Sequence, residues 1–244
     1  MRFAFGVYHW RERGRRLAVA ALAVAVGLWG VRRREEPVGR ALAAAVALWG
    51  LRRGWRTAAK LLRPPPWHVD REKYAALAAA VDLSGADRLL DVGCGTGRSL
   101  VGLAPAVPDG CTVLGLDVFD DRVILGNAPG LARWNAAAAG LTAEIVRGDA
   151  ARLPVADGAV DVVTASRVLH DLPAEDARRA LAEARRVCAP DGRLGLLALP
   201  YPHEDGADPA DYWRDLVADA GFTVRSVETL TTDRNEYVVV GGEP

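Results

Sequence analysis

Four short stretches of this 244-residue chain set carboxylates, glycines, a hydroxyl and an imidazole at spacings that can do chemistry. From Leu89 to Gly97 the chain reads Leu-Leu-Asp-Val-Gly-Cys-Gly-Thr-Gly, an apolar run entering three alternating glycines. Glycine is needed where a turn is tight and backbone must approach a ligand, so Gly93, Cys94, Gly95 and Gly97 are candidate binding positions. A dinucleotide fingerprint would run GxGxxG, but here the third glycine comes one position early and Arg98 stands where it should fall. Asp91 discriminates better, because a carboxylate beside the loop repels a pyrophosphate and suits a ligand carrying an ammonium and a sulfonium. Asp117, which closes Val-Leu-Gly-Leu-Asp and precedes Val118, can accept both hydroxyls of a ribose. In Gly148-Asp149-Ala150 a carboxylate and a backbone amide can read an adenine amino group and ring nitrogen. A lone loop aspartate is usually only solvated, but three such sites in this order are hard to obtain by chance. Ser166, Arg167 and His170 follow a further apolar run.

The elements that must position these residues repeat at the spacing of βα units after Trp67. The pattern predicts strands over 88–92, 112–116, 143–146, 160–165, 193–199, 223–229 and 236–240. Helices are predicted over 70–81, 98–104, 129–139, 174–188 and 209–220. That alternation implies an α/β fold, Rossmann-like and doubly wound, with the candidate residues at the carboxyl edge of a parallel sheet.

The first 69 residues differ in kind. They hold 14 Lys+Arg against 3 Asp+Glu, a charge of +11 that the remaining residues offset with −11. A basic segment suits anionic lipid or nucleic acid, whereas an acidic domain repels a polyanion. Leu17–Val31 is a 15-residue uncharged run between arginine clusters, about 22 Å long as a helix against a hydrocarbon core of about 30 Å. Ala41–Leu51 is a shorter run, and Ala25–Arg33 resembles Ala45–Arg53, which suggests a helical hairpin turning near Pro37. From Leu48 onward Leu51, Trp55, Ala58 and Leu62 face away from Arg52, Arg56, Lys60 and Arg63, the pattern of an interfacial helix. Crossing the membrane and lying in its plane are both open, although a two-pass hairpin must export the four arginines from Arg32 to Arg40, which disfavours it. A secretory leader or a helical pair packed on the second domain competes with both readings. The expected organisation is a basic, alanine-rich, membrane-associated helical region over 1–63, a proline-rich linker over 64–69 and a catalytic domain over 70–244. Lipid contact is expected through residues 15–63. Cys94, Cys111 and Cys188 form no CxxC pair, and adjacent His203 and Glu204 lack an evident third ligand, so neither a disulfide framework nor a metal site is expected.

Residues 70–244 resemble the class I S-adenosylmethionine-dependent methyltransferases of the type 11/25 kind, near the group that includes ubiquinone and menaquinone biosynthesis C-methyltransferases. The resemblance rests on Leu89–Gly97, on Asp117, on Gly148-Asp149-Ala150 with Leu153-Pro154, and on the strand and loop from Val160 to Leu172. It extends through the helix, turn and strand beginning at Glu183 and running past Gly192. It implies a seven-stranded sheet of order 3-2-1-4-5-7-6 and S-adenosyl-L-methionine as cofactor. Asp91, Gly93, Cys94, Gly95, Gly97, Asp117, Val118, Asp149, Ala150 and Ser166 would bind that cofactor. Ser166 and His170 then lie beside the reacting methyl, with His170 as general base or orienting group, although a structural or exposed histidine is an equal reading. Tyr74 is a candidate cover for the cofactor or a plain core residue, and Tyr201, His203 and Glu204 are candidate borders of the acceptor pocket. The link from Val118 to Pro129 is longer than usual, so Gly126 and Asn127 either close the ribose side or form a turn and helix cap.

The expected partner is a small, lipophilic acceptor of quinone or lipid-precursor type, with a membrane-associated chain whose catalytic domain is cytoplasmic. Ala165-Ser166-Arg167-Val168 stands where nucleic-acid amino-methyltransferases usually carry an Asn-Pro-Pro-Tyr-like motif, and with the acidic domain it argues against nucleic acid. A nicotinamide oxidoreductase and a non-catalytic membrane adaptor retaining the fold are the competing functions.

Overall fold

The structure, a computed structural model, describes residues 3–62, 65, 67–233 and 235–244. Arg63, Pro64 and Pro66, on which the end of the basic stripe and most of the proline linker were placed, lie outside the described residues, as do the side chains of Leu61 and Leu62. The chain divides into two compact units, Val69–Phe119 with Asn127–Pro244, and Arg2–His68 with Asp120–Gly126.

The larger unit is a seven-stranded sheet of strands β1 (Arg88–Val92), β2 (Thr112–Asp117), β3 (Ala143–Arg147), β4 (Val160–Ser166), β5 (Cys188–Ala198), β6 (Thr223–Thr231) and β7 (Glu236–Glu243). Their order is 3-2-1-4-5-7-6, with β7 antiparallel to both neighbours. Central strands buried on both faces read as nearly continuous apolar runs, and Leu89-Leu90 and Val162-Val163 fit that pattern with successive side chains in opposite cores. One core joins Leu90 and Val163 to Leu181 and Trp213; the other joins Leu89 and Val162 to Tyr74, Leu77 and Leu100. These layers include the helices α3 (Arg71–Val81), α4 (Arg98–Leu103), α5 (Pro129–Ala138), α6 (Ala174–Val187) and α7 (Pro209–Asp219). In α6, Ala177, Ala180, Leu181, Ala184 and Val187 recur at helical spacing and form its buried face. β5 starts five residues before the predicted Arg193. Val160 pairs with Cys188 and Val162 with Arg193, so the stretch holding Pro190 and Gly192 bulges out of the ladder and imitates a turn in sequence.

The smaller unit holds α1 (Trp10–Arg33) and α2 (Pro37–Leu62), an antiparallel hairpin. Its seam is made of small residues, Ala20, Gly27 and Gly30 against Ala43, Ala47 and Gly50. A Cβ on Gly27 would lie 2.5 Å from the Ala47 nitrogen, and one on Gly50 2.7 Å from the Ala20 oxygen. Large apolar side chains point outward instead: Leu22 is 64% exposed, Trp29 62%, Leu48 65% and Trp55 76%. This inverts the ordinary water-soluble helix pair and follows the packing of helices in lipid. α1 is long and apolar enough, by length and composition, to cross a membrane. Val7–Tyr8 pairs antiparallel with Ile124–Leu125, and the Trp10 indole donates to the Asp121 carbonyl at 2.8 Å. The long link after β2 thus forms part of this unit, a pairing too short to leave a period in the sequence.

Candidate active site

At the carboxyl end of β1 the backbone N–H groups of Gly93 and Cys94 both donate to the Leu116 carbonyl, at 2.7 and 3.0 Å. Gly93, Gly95 and Gly97 all have left-handed φ, of 74°, 52° and 80°. At Gly97 an added Cβ would sit 2.8 Å from the Ala132 carbonyl, so the loop and α5 touch through it. At Gly95 an added Cβ would meet nothing nearer than Asp117 at 3.9 Å and Asn127 at 4.0 Å, so the backbone there is uncrowded. The Gly95 N–H donates to Asp117 Oδ2 at 3.0 Å, while Asp117 Oδ1 accepts from Phe119 N at 2.6 Å and Asn127 Nδ2 at 3.3 Å. Asn127 therefore faces the second-strand carboxylate, and the cap position of α5 falls to Ala128 with Pro129 at the first turn.

Next to this edge Gly148 N donates to the Asp117 carbonyl at 3.0 Å, which fastens the third-strand turn to the end of β2. Asp149 is exposed and its Oδ1 accepts from Ala151 N at 2.9 Å, with Ala150 buried behind it. Arg147 lies 5.5 Å over the Phe119 ring and donates to the Val118 carbonyl, leaving the Val118 side chain exposed.

Asp91 has no exposed surface. Its carboxylate accepts from Ser99 Oγ at 2.5 Å and Thr164 Oγ1 at 2.9 Å, so it lies beneath the loop and ties α4 to β4. Burial pushes its pKa up to about 6, Asp117 adds to the rise, and the two hydroxyls oppose it. The Cys94 thiol, also buried, is pushed well above its usual range chiefly by burial.

β4 ends at Ser166 and the chain turns sharply. Arg167 adopts φ 59° and donates its N–H to Leu197 O at 2.7 Å. Val168 then packs on the glycine loop, where a Cβ at Gly93 would come within 2.6 Å of it. One 3-10 turn, Leu169–Asp171, carries His170. Ser166 Oγ and His170 Nδ1 are both buried without a hydrogen-bond partner among the described residues. Burial lowers the His170 pKa, Asp171 pulls it up, and Arg167 and His203 lower it further. A neutral imidazole with a free Nδ1 can accept a proton or a hydrogen bond.

His203 is engaged on both nitrogens. Nε2 donates to the Leu172 carbonyl at 2.9 Å, which leaves Nδ1 to accept from the Tyr212 hydroxyl at 2.7 Å. Glu204 faces Arg178 at 3.9 Å, and Tyr201 is exposed with its ring edge-on to His170 at 6.5 Å. Tyr74 is core, for a Cβ on Gly102 would lie 2.1 Å from its ring. Sequence reasoning missed Ser99 and Thr164, although a threonine inside the buried β4 run was a signal. It also missed a buried group in which Tyr237 OH accepts from Lys73 Nζ at 3.1 Å and Asn235 Nδ2 at 3.2 Å. Burial, first of all, raises the Tyr237 pKa.

Residues 90–196 match a family described as a methyltransferase domain. The chain is 34% identical over 173 residues to the 27-O-demethylrifamycin SV methyltransferase of Amycolatopsis mediterranei, covering 69% of this chain and 58% of that protein. It is 36% identical over 118 residues to the demethylmenaquinone methyltransferase of Lactobacillus johnsonii, covering 48% and 45% respectively. The chain spans about half the length of the curated relatives it matches. Its fold is similar to that of the Burkholderia thailandensis 1,6-didemethyltoxoflavin-N1-methyltransferase with bound 1,6-didemethyltoxoflavin and S-adenosylhomocysteine. The TM-score is 0.55 at 19% identity, over 71% of this chain and 79% of that one.

Proposed function

Since the chain carries a class I S-adenosylmethionine-dependent methyltransferase domain, we propose that it transfers a methyl group to a small acceptor, quinone-like or polyketide-like, from the cytoplasmic face of a membrane. The observation that carries this reading is the pair of buried, unpartnered polar atoms, Ser166 Oγ and His170 Nδ1, beside the glycine loop. Buried polar groups are rarely left unsatisfied, so the pair suits a bound acceptor or a water that an acceptor would displace.

The residues fit the cofactor. The uncrowded backbone at Gly95 suits a ribose against Asp117, Asp149 with the Ala150 amide suits the reading of an adenine edge, and the exposed Val118 side chain suits contact with the ring. Asp91, one layer below, supplies negative charge to a ligand that is cationic at sulfur and nitrogen. When bound, S-adenosylmethionine supplies an already activated methyl carbon. The chain's own part is alignment and exclusion of water, with Ser166 Oγ orienting the acceptor and His170 Nδ1 taking its proton. Asn127 holds Asp117 in place from the ribose side.

The lipophilic class of acceptor draws support from the relatives, which are named for a menaquinone precursor and a rifamycin precursor. Membrane placement draws support from the outward apolar faces of α1 and α2. Between Leu17 and Val31 no face of α1 carries a charge, which favours insertion of that helix, whereas the uncharged run of α2 is shorter and the four arginines from Arg32 to Arg40 weigh against a two-pass crossing. The open end of the hairpin holds more Arg and Lys than the turn, which favours a cytoplasmic position for that end and for the domain emerging after α2.

The test is calorimetric titration of the purified chain with S-adenosylmethionine, followed by transfer of labelled methyl to membrane lipid extracts and to water-soluble metabolites. Micromolar binding, about −8 kcal/mol, that Asp117→Ala abolishes supports the assignment. No binding by folded protein removes it, and binding without turnover on any acceptor favours a membrane adaptor instead.

A further inference from the structure

At the open end of the hairpin an open cavity of about 760 Å³ is walled by Trp49 and Trp55 and ringed by cations. Arg13 and Arg16 come from α1, and Arg52, Arg53, Arg56 and Lys60 from α2. Glu12 offsets one of them by pairing with Arg16. Arg53 is held 5.3 Å over the Trp49 ring, which fixes the direction of its guanidinium. Six cations around one hollow repel one another unless an anion sits among them. A second hollow of about 690 Å³, apolar, lies between Leu17 and Val24 of α1 and Leu51 of α2. Trp55 borders both.

We propose that these two hollows, which share Trp55, bind one anionic phospholipid, its phosphate among the arginines and an acyl chain in the apolar groove passing over that indole. The two halves select one occupant together. A soluble polyanion has no use for the apolar hollow, and a neutral lipid cannot balance the cations. Arginine suits the phosphate because its planar fork donates two parallel hydrogen bonds, and tryptophan suits the boundary between headgroup and chain. The proposal rests on the membrane reading above, and it adds a stoichiometric site to what would otherwise be diffuse attraction of basic residues to an anionic surface.

The experiment is native mass spectrometry of the full chain in detergent with phosphatidylglycerol or phosphatidylcholine, alongside flotation with vesicles of both lipids. One phosphatidylglycerol should be retained at least tenfold more strongly than phosphatidylcholine. Arg52→Gln with Arg56→Gln should bring the two lipids to parity, and Arg52→Lys with Arg56→Lys should restore part of the preference, which separates charge from misfolding. Arg11→Gln with Arg15→Gln removes the same charge outside the cavity and should leave the preference intact. Equal loss in both glutamine pairs, no preference at all, or displacement of the lipid by glycerol phosphate would overturn the site while flotation still upheld membrane insertion. Failure to float would remove the membrane reading and the proposal together.

Discussion

A carboxylate with no exposed surface in the centre of a parallel sheet is costly to ionise, and Asp91 is one. Its folded pKa of about 6 lies above the ordinary 3.8, so the folded chain holds this proton more tightly than the unfolded one. The associated stability is fully present below pH 3.8 and lost as pH rises through 6, about 3 kcal/mol in all. A bound cation above the loop favours the ionised form. Affinity for S-adenosylmethionine relative to S-adenosylhomocysteine should therefore rise several-fold between pH 5 and pH 7, and calorimetry on Asp91→Asn should show a flat ratio. His170 works in the opposite sense: with its pKa lowered by burial it is neutral near pH 7, and activity should fall as pH drops through a value below 6.5. His170→Gln should lower kcat by about 10²-fold or more with little change in cofactor affinity, read from initial rates against pH. Asp91, Asp117 and Asp149 were legible because their order along the chain follows the strand ends. Ser99 and Thr164 were not, since only the register that sets Asp91 beside Thr164 shows what they hold.

Among the elements, the glycine loop makes a graded prediction. Gly95→Ala meets only ordinary contacts and has its left-handed φ to bear, roughly 1–2 kcal/mol, whereas Gly97→Ala adds a 2.8 Å encounter with the Ala132 backbone. Gly97→Ala should therefore lower the melting temperature more, as seen by calorimetry without ligand. In the hairpin, Gly27→Leu has no room against Ala43 and Ala47 and should separate α1 from α2, measurable as lost crosslinking between cysteines placed on the two helices. The sheet order was legible through resemblance and the helices through their 3.6-residue spacing. β5 was cut short because Pro190 and Gly192 look like a turn. The two-residue pairing of Val7–Tyr8 with Ile124–Leu125 is shorter than any period that could announce it. The seam escaped notice because alanine and glycine carry no polarity contrast, so the stripe of Leu48, Leu51 and Trp55 was visible while the buried face was not.

For the whole molecule, the division into a +11 segment and a −11 remainder bears on how the proposed membrane attachment would be held. An inserted hairpin should stay with vesicles in 1 M salt, where a merely electrostatic attachment would be released; flotation decides. If the pair crosses the bilayer, a cysteine at Glu36 should react with an impermeant maleimide from outside intact cells. The repeated segments Ala25–Arg33 and Ala45–Arg53 run antiparallel in the hairpin, so each lies on the other by a half-turn. Trp29 with Arg32 and Arg33 thereby marks one end of the apolar band, as Trp49 with Arg52 and Arg53 marks the other. Such a pair is directionless by itself: turned upside down, it would present the same aromatic and basic anchors to each interface. Its heading must come from unrepeated charge, Arg11, Arg13, Arg15 and Arg16 with Arg56 and Lys60, and a chain stripped of these should insert in both directions.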